Sequence, residues 1–264
     1  MNYKCLSIAG FDGSGGAGIQ ADIKTFSATG SYGMTVLTAI PVQNTCGVRS
    51  CYDLPLSCIE EQLEVIFDDI RPDAIKIGML FSTEIIELVS LFLRQNAKDI
   101  PIVLDPVMVA KSGDSLLKTD AVKALKTKLI PIVNIITPNL PESRTLIPGE
   151  YDKKILSKKL LDLGCESVLL KGGHEGSATS DDLYASHDCS EVLSAPRIKS
   201  QNTHGTGCTL SAAIASFMAQ GLSTFDACKK AKAYLYEAIL YSKDQNIGKG
   251  HGPVHHFYQL WKDL

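Results

Sequence analysis

Long apolar runs are missing from this sequence: nowhere do the roughly 18 consecutive apolar residues of a membrane-spanning helix occur. Long runs of like charge are missing too. With a net charge of −3 there is neither a basic stripe for nucleic acid nor a polybasic patch for a membrane surface. The first residues, MNYKCLSIAGFDG, lack the charged segment, apolar stretch and cleavage site of a secretory signal. No two of the eight cysteines stand at C-x-x-C spacing, which argues against a disulfide framework, so the expectation is a cytoplasmic protein with reduced thiols. Linkers, low-complexity tracts and repeats are absent as well. The 264 residues therefore read as one domain over 1–264, within the size of a single α/β fold of roughly 250 residues.

Two nucleotide-binding signatures are also lacking. The Walker-A pattern G-x-x-x-x-G-K-[ST] does not occur, and GKG at Gly248–Gly250 has neither the hydroxyl residue nor the helix that should follow. GSGGAG at Gly13–Gly18 satisfies G-x-G-x-x-G between a strand and a helix. A dinucleotide site also needs an acidic residue at the end of the next strand, and from Ser31 to Tyr52 there is no aspartate or glutamate. The loop then reads as a tight strand-to-helix turn flanked by Asp12 and Asp22.

What is present is alternation. YKCLSIAG, GMTVLTAIPVQN, DAIKIG, IPIVLDP, VNIITPN and CESVLLKGG read as strands, the second running into a loop. Between them, segments such as AGIQADIKTFSATG, LSCIEEQLEVIFDDI, STEIIELVSLFLRQN, DAVKALKTKLI and YDKKILSKKLLDLG carry helical periodicity. This order implies βαβ units and a mostly parallel sheet covered on both faces. DDLYAS and SEVLSAP break the pattern and predict an antiparallel hairpin at one sheet edge. The tail predicts helices over the Gly207–Gly221 segment, over TFDACKKAKAYLYEAILYSK and over a short VHHFYQLWKDL.

NTHGTGC at Asn202–Cys208 is the strongest candidate for chemistry. A helix start has unpaired N–H groups and partial positive charge, so Gly205, Thr206, Gly207 and Cys208 can present amides to an anion. The same field predicts a partly ionised Cys208 thiol near neutrality, suited to accept a proton. Strand ends carry Asp105 (VLDPVMVAKSG) and Asn139 with Glu142 (TPNLPE), where open α/β sheets bind ligands and where carboxylates suit magnesium. For Asn139–Glu142 the competing reading is a helix cap, and for Cys208 a small buried side chain. His251, His255 and His256 in HGPVHH read as a packed turn, because Pro253 breaks the helical spacing of zinc motifs.

Taken together, AGFDGSGGAGIQADIKTFSATGSYGMTVLTAIPVQNTCGV, IKIGML, VLDPVMVAKSGDSLL, TPNLPE, LLKGGH, NTHGTGCTLSAAIA and GHGPVHHF closely resemble the hydroxymethylpyrimidine and phosphomethylpyrimidine kinases of thiamine biosynthesis. The resemblance runs from the first strand to the tail. It implies a three-layer ribokinase-like fold. It also implies transfer of the ATP γ-phosphoryl group to 4-amino-5-hydroxymethyl-2-methylpyrimidine and then to its monophosphate, with Mg2+ and a homodimeric assembly. By resemblance, Gly205, Thr206 and Gly207 line an anion hole, and Cys208 stands where sugar-kinase relatives carry an aspartate base. Gln43, Gly10, Ala17, Met79 and Val107 would form the pyrimidine pocket, with Asp22 near the hydroxymethyl and His204 beside the hole. Asp105 and Glu142 would organise the metal, Asn139 and Lys171 would face the nucleotide phosphates, and MVAKSGDSLL would act as a lid. Phe11, Gly13 and Lys249 depart from the family pattern.

Three other functions compete. A pyridoxal kinase shares the fold and takes a similar heteroaromatic alcohol, and Gln43 favours the pyrimidine. A sensor on a kinase scaffold should have lost the thiol or the acidic pair, and both are present. A cysteine hydrolase would need a third group to orient His204, and none is evident in the sequence.

Overall fold

Odd and even residues of the same strands face different helices in the computed structural model, which describes residues 2–108, 120–173 and 178–261. The chain runs β1 (Lys4–Ala9), α1 (Gly18–Ala28), β2 (Tyr32–Leu37), β3 (Ala39–Asn44), β4 (Gly47–Asp53), α2 (Leu56–Asp69), β5 (Ala74–Ile77), α3 (Thr83–Asn96) and β6 (Ile102–Leu104). It continues through α4 (Ala121–Ala124), whose helix tightens and loosens through further turns to Ile132, then β7 (Ile135–Ile136), α5 (Leu140–Leu146), α6 (Lys153–Leu161) and β8 (Ser167–Leu170). The hairpin β9 (Thr179–Ser186) and β10 (Ser190–Pro196) and the helices α7 (Thr206–Ala219) and α8 (Thr224–Ser242) complete it.

One sheet face, with Leu6, Ile8, Ile75, Ile77, Ile102 and Leu104, packs on Ile59 and Leu63 of α2, on Ile85, Ile86, Val89 and Leu93 of α3, and on α4 and α6. The other face, with Cys5, Ala74, Val103, Ile135 and Leu169, packs on Ala212, Ala213, Ile214 and Phe217 of α7 and on Ala227, Ala231 and Ala238 of α8. Period-two alternation thus divides one sheet between two helical layers. Small residues on α7 let that helix lie close against the sheet.

The eight-stranded sheet has the order β10-β9-β8-β7-β6-β5-β1-β2, with every pair from β2 to β8 parallel and the β8–β9–β10 edge antiparallel. The edge hairpin and the layered α/β arrangement follow the sequence expectation. From β1 the chain turns outward to β2, whereas from β5 it proceeds the other way. The crevice between the carboxyl ends of β1 and β5 is therefore the topological switch point where such sheets bind ligands.

Two expectations need correction. GMTVLTAIPVQN is two strands, not one strand entering a loop. At Thr38, whose hydroxyl donates to the Met79 carbonyl at 2.7 Å, the chain leaves the main sheet, and β3 pairs with β4 as a separate antiparallel ribbon. The tail from Val254 to Trp261 forms turns rather than a short helix, because its neighbours claim the backbone. His255 N–H donates to the Ala238 carbonyl, and the Tyr234 hydroxyl donates to the carbonyl of buried His256. The expected lid, MVAKSGDSLL, lies outside the described residues apart from Met108.

Candidate active site

The carboxyl ends of β1, β5, β6, β7 and β8 open into a cavity of about 730 Å³, closed from the other side by the start of α7 and by α8. Gly10, Ala17, Gln43, Met79, Asp105, Val107, Asn139, Glu142, Lys171, His204, Gly205, Thr206, Gly207 and Cys208 all line it. Asp22 does not. It is fully buried behind the wall, where its Oδ2 accepts from Lys76 Nζ at 2.8 Å and from Ser7 Oγ at 2.5 Å.

The α7 start is built to leave amides free. Gly205 caps the helix in a left-handed conformation (φ 75°), without a side-chain cap and without an acidic residue in the first turn. A Cβ at Gly205 would lie 1.7 Å from the Gly16 carbonyl oxygen, so the close approach of the two loops requires glycine there. Thr209 N–H bonds back to the Gly205 carbonyl and Thr206 N–H reaches the Thr203 carbonyl. Among the described residues, nothing accepts from the amides of Gly207 and Cys208. They point their charge into the cavity, an anion site by the ordinary physics of a helix N-terminus.

Cys208 sits between two helix starts, and the Gly18 amide of α1 also favours its ionisation. The expected thiolate does not follow. Burial pushes the thiol up to about 11, with Lys76 opposing and Asp22 and Asp105 adding to the rise. Desolvation outweighs the helix field, which a sequence reading sees without the burial. The resting group is a thiol.

At the other side of the hole, Lys171 Nζ lies 2.8 Å from Asp105 Oδ1 and 3.9 Å from Glu142 Oε2. Asp105 Oδ1 also accepts from Thr137 Oγ1, and Oδ2 faces Gly207, where a Cβ would approach it to 3.1 Å. Burial raises Glu142 to about 7 against the pull of Lys171, with Asp105 adding to the rise. Asn139 and Glu142 do form a helix cap. Asn139 Oδ1 accepts from the Glu142 N–H and Glu142 Oε2 from the Asn139 N–H, each at 2.8 Å, so the cap reading and the cavity placement hold together. Among the described residues no cluster of three metal-ligating side chains occurs; of the tail histidines, His256 is buried, His255 half-buried and His251 exposed. A cation here would be held by Asp105 and Glu142, with the rest of its shell from water and substrate, as suits magnesium.

His204 Nε2 lies 2.8 Å from Asp12 Oδ2, and its N–H donates to the Gly252 carbonyl, so the tail motif GHGPVHHF braces the hole. Gln43 Nε2 reaches the Phe11 carbonyl at 3.4 Å, and both residues line the cavity. Sequence reasoning missed two cavity-lining lysines, Lys76 and Lys232. Each pairs with a buried carboxylate: Lys76 with Asp22, and Lys232 with Asp182 at 2.7 Å. The signal for Lys76 was in the strand itself, since a lysine amid AIKI of a sheet covered on both faces must have a buried partner.

This geometry agrees with the comparisons. The model of the family described as phosphomethylpyrimidine kinase matches residues 12–255. The chain belongs to that family. It is 47% identical over 267 residues to the hydroxymethylpyrimidine/phosphomethylpyrimidine kinase of Salmonella typhimurium strain LT2, covering 99% of this chain and 100% of the relative. The crystal structure of a phosphomethylpyrimidine kinase from Clostridium difficile 630 superposes with a TM-score of 0.79 at 42% identity, over 90% of this chain and 100% of that one. An ADP complex of Bacillus subtilis pyridoxal kinase superposes with a TM-score of 0.89 at 35% identity, over 98% and 99%. The fold is the ribokinase-like one these kinases share. Because pyridoxal kinases superpose so fully, overall shape does not select the acceptor; the family match and the cavity side chains bear on it.

Proposed function

We propose that the chain transfers the γ-phosphoryl group of ATP to the hydroxymethyl of 4-amino-5-hydroxymethyl-2-methylpyrimidine, and then transfers a second to the monophosphate, yielding the diphosphate used for thiamine. The observation that carries the reading is the pair of unclaimed amides at Gly207 and Cys208. They face a cavity whose two ends differ in chemistry. The end lined by Gly10, Gln43, Met79 and Val107 is apolar with one amide side chain, suited to a flat heteroaromatic ring bearing an amino group. The end lined by Asn139, Glu142 and Lys171 is charged, suited to polyphosphate.

Phosphoryl transfer asks the protein mainly to position groups and to stabilise charge. The α7 amides hold the migrating group's oxygens. Lys171 and Asn139 face the nucleotide phosphates, and Asp105 with Glu142 would hold Mg2+, which neutralises phosphate charge when bound. Gln43 orients the ring and turns its hydroxymethyl toward Cys208. The thiol accepts a hydrogen bond from the alcohol. In a loose transition state the alcohol keeps its proton until late, so the acceptor need only be the minor thiolate form of Cys208, which takes the proton and becomes the thiol. The reading includes a cytoplasmic location and, by family resemblance, a homodimer, whose assembly size-exclusion chromatography with light scattering tests.

The test of function is ADP release from Mg·ATP with the pyrimidine alcohol, its monophosphate, pyridoxal and no acceptor. Turnover on both pyrimidines supports the reading. Turnover on pyridoxal alone sinks the thiamine assignment and leaves the fold standing. ATP binding without turnover on any acceptor points to a sensor.

A further inference from the structure

The two acceptors of the proposed reaction make opposite demands. An alcohol must lose a proton as it attacks, whereas a phosphate monoester arrives already ionised and needs no proton acceptor. A side chain that acts through the Cys208 thiol should therefore matter for the first transfer and hardly for the second. The buried Lys76–Asp22 pair has that position.

Lys76 is fully buried, yet it lies at the wall of the acceptor end of the cavity, on the face of β5 that looks toward α7. Its ammonium is 2.8 Å from Asp22 Oδ2, which Ser7 of the neighbouring strand also contacts. Both bonds to the Asp22 carboxylate fall on Oδ2, and Oδ1 has no partner among the described residues. Gly78 leaves room for the ammonium, since a Cβ there would come within 2.7 Å of Nζ. Lys76 and Cys208 line the same cavity, Lys76 on the β5 face that packs on α7. The charged groups that act on the sulfur come from four elements: Lys76 from β5, Asp22 from α1, Asp105 from the end of β6 and Lys171 from the end of β8. Of these, Lys76 exerts the strongest pull toward ionisation. A lysine that deep is expensive to keep charged, and it stays charged because Asp22, the thiol and Asp105 surround it. For packing alone, an apolar residue of the same length would serve the strand better.

We propose that Lys76, held by Asp22, is a positioning residue for the first phosphoryl transfer only: its ammonium stabilises the thiolate form of Cys208, which takes the proton that the acceptor alcohol gives up. In that step the Cys208 thiol has first given its proton to solvent; the alcohol oxygen then bonds to the γ-phosphorus, the bond from phosphorus to the ADP oxygen breaks, and the alcohol proton passes to the thiolate, which becomes the thiol again. In the second transfer a phosphate oxygen attacks directly, and the thiol keeps its proton. The inference rests on the two-acceptor reading above, deepens it, and assigns the two steps different dependences on one buried pair.

The experiment compares the wild type with K76M/D22N, D22N and C208A. The double variant removes both charges together and leaves no unpaired ion in the core. Initial rates are measured separately on the pyrimidine alcohol and on its monophosphate, and alkylation of Cys208 by iodoacetamide is followed against pH by mass spectrometry of the Cys208 peptide. In K76M/D22N, kcat on the alcohol should fall about tenfold or more while kcat on the monophosphate stays within about threefold, the pattern that C208A also gives. The alkylation midpoint should rise by about half a pH unit or more in the double variant. It should fall in D22N, where Lys76 acts on the thiol without its counter-charge. Equal losses on both acceptors, or an alkylation midpoint that does not move in a variant that melts like the wild type, would overturn the proposal. If the double variant does not fold, the sign in D22N decides, because an unmoved or raised midpoint there refutes Lys76 as the thiol's partner. Alkylation needs no acceptor, so a wild type inactive on both pyrimidines would sink the proposed function while the thiol measurement still judged Lys76.

Discussion

Two glycine-rich turns lead into helices at the same edge of the sheet, yet only one has amides to spare. In the first, Asp12 reaches across Gly13–Gly18 and takes the donors for itself. Its Oδ1 accepts from Ser14 N–H at 2.9 Å, and its Oδ2 from Gly16 at 3.1 Å and Ala17 at 2.7 Å. The next amide, Gly18, acts on the Cys208 thiol and favours its ionisation. In the second, Gly205–Cys208, no acidic side chain caps the helix and the amides of Gly207 and Cys208 stay free among the described residues. The same backbone chemistry gives a closed turn where the sequence supplies its own carboxylate, and an anion site where it does not. That explains why the G-x-G-x-x-G pattern is not a phosphate loop here: its phosphate position is filled by Asp12.

The sharpest way to break the comparison is at the contact between the turns. Gly205→Ala puts a methyl group into the Gly16 carbonyl at a positive φ. It should cost about 3 kcal/mol or more in stability from left-handed strain and overpacking together. It should also cost about a hundredfold or more in kcat, the usual loss for a displaced oxyanion donor. Thermal melts and steady-state rates read both. If activity survives, the α7 amides are not the anion hole. Next in size is Cys208→Ala, expected to lower kcat on the pyrimidine alcohol by about 10² to 10⁴ with the fold intact, as for a lost proton acceptor. An unchanged rate would reduce the thiol to packing.

How much of this was legible beforehand depends on what each residue type announces. Strand and helix alternation, the edge hairpin and the α7 turn were readable because periodicity and glycine spacing are local. The break at Thr38 was not, because GMTVLTAIPVQN is apolar on both sides of it, and what ends β2 is a bond to Met79 far away in sequence. The thiol's protonation was misjudged for a similar reason: the helix field is a local property, whereas the burial that overrides it belongs to the assembled cavity. Family resemblance placed Asp22 near the substrate, and the fold puts Lys76 between them, a role that no motif containing only one of the pair reveals. Asp105 and Glu142, by contrast, sit where strand-end reasoning puts them, and Lys171, placed by resemblance, joins them because the ends of parallel strands converge by topology.

A third prediction tests the closed turn. Burial would raise the Asp12 carboxyl, but His204, Ser14 and the Ala17 amide overcome it and hold the group well below the usual carboxylate range. A carboxyl depressed in the folded state stabilises the fold above its unfolded pKa of about 3.9 and loses that contribution as pH falls through the folded value. Asp12→Asn keeps one acceptor and loses the charge. It should destabilise the protein by about 2 kcal/mol at neutral pH. It should also flatten the acid limb of stability below about pH 4, as read by urea melts across pH. A variant whose acid limb matches the wild type would show that Asp12 does not carry the turn's pH dependence.

The smallest effect separates the turn's amides from its hydroxyl. Ser14 Oγ donates to Asp12 Oδ1 at 2.7 Å and lies 3.5 Å from His204 Nε2, so it touches both the carboxylate and the residue that links the turns. Ser14→Ala removes that one bond, while the backbone donors at Ser14, Gly16 and Ala17 still reach Asp12. The expected loss is about 1 kcal/mol in stability, with kcat and KM near the wild-type values. A drop in activity comparable to that of Asp12→Asn would mean that the hydroxyl, not the amide set, fixes His204 beside the hole. The first turn would then be part of the reacting site rather than the closed half of the pair.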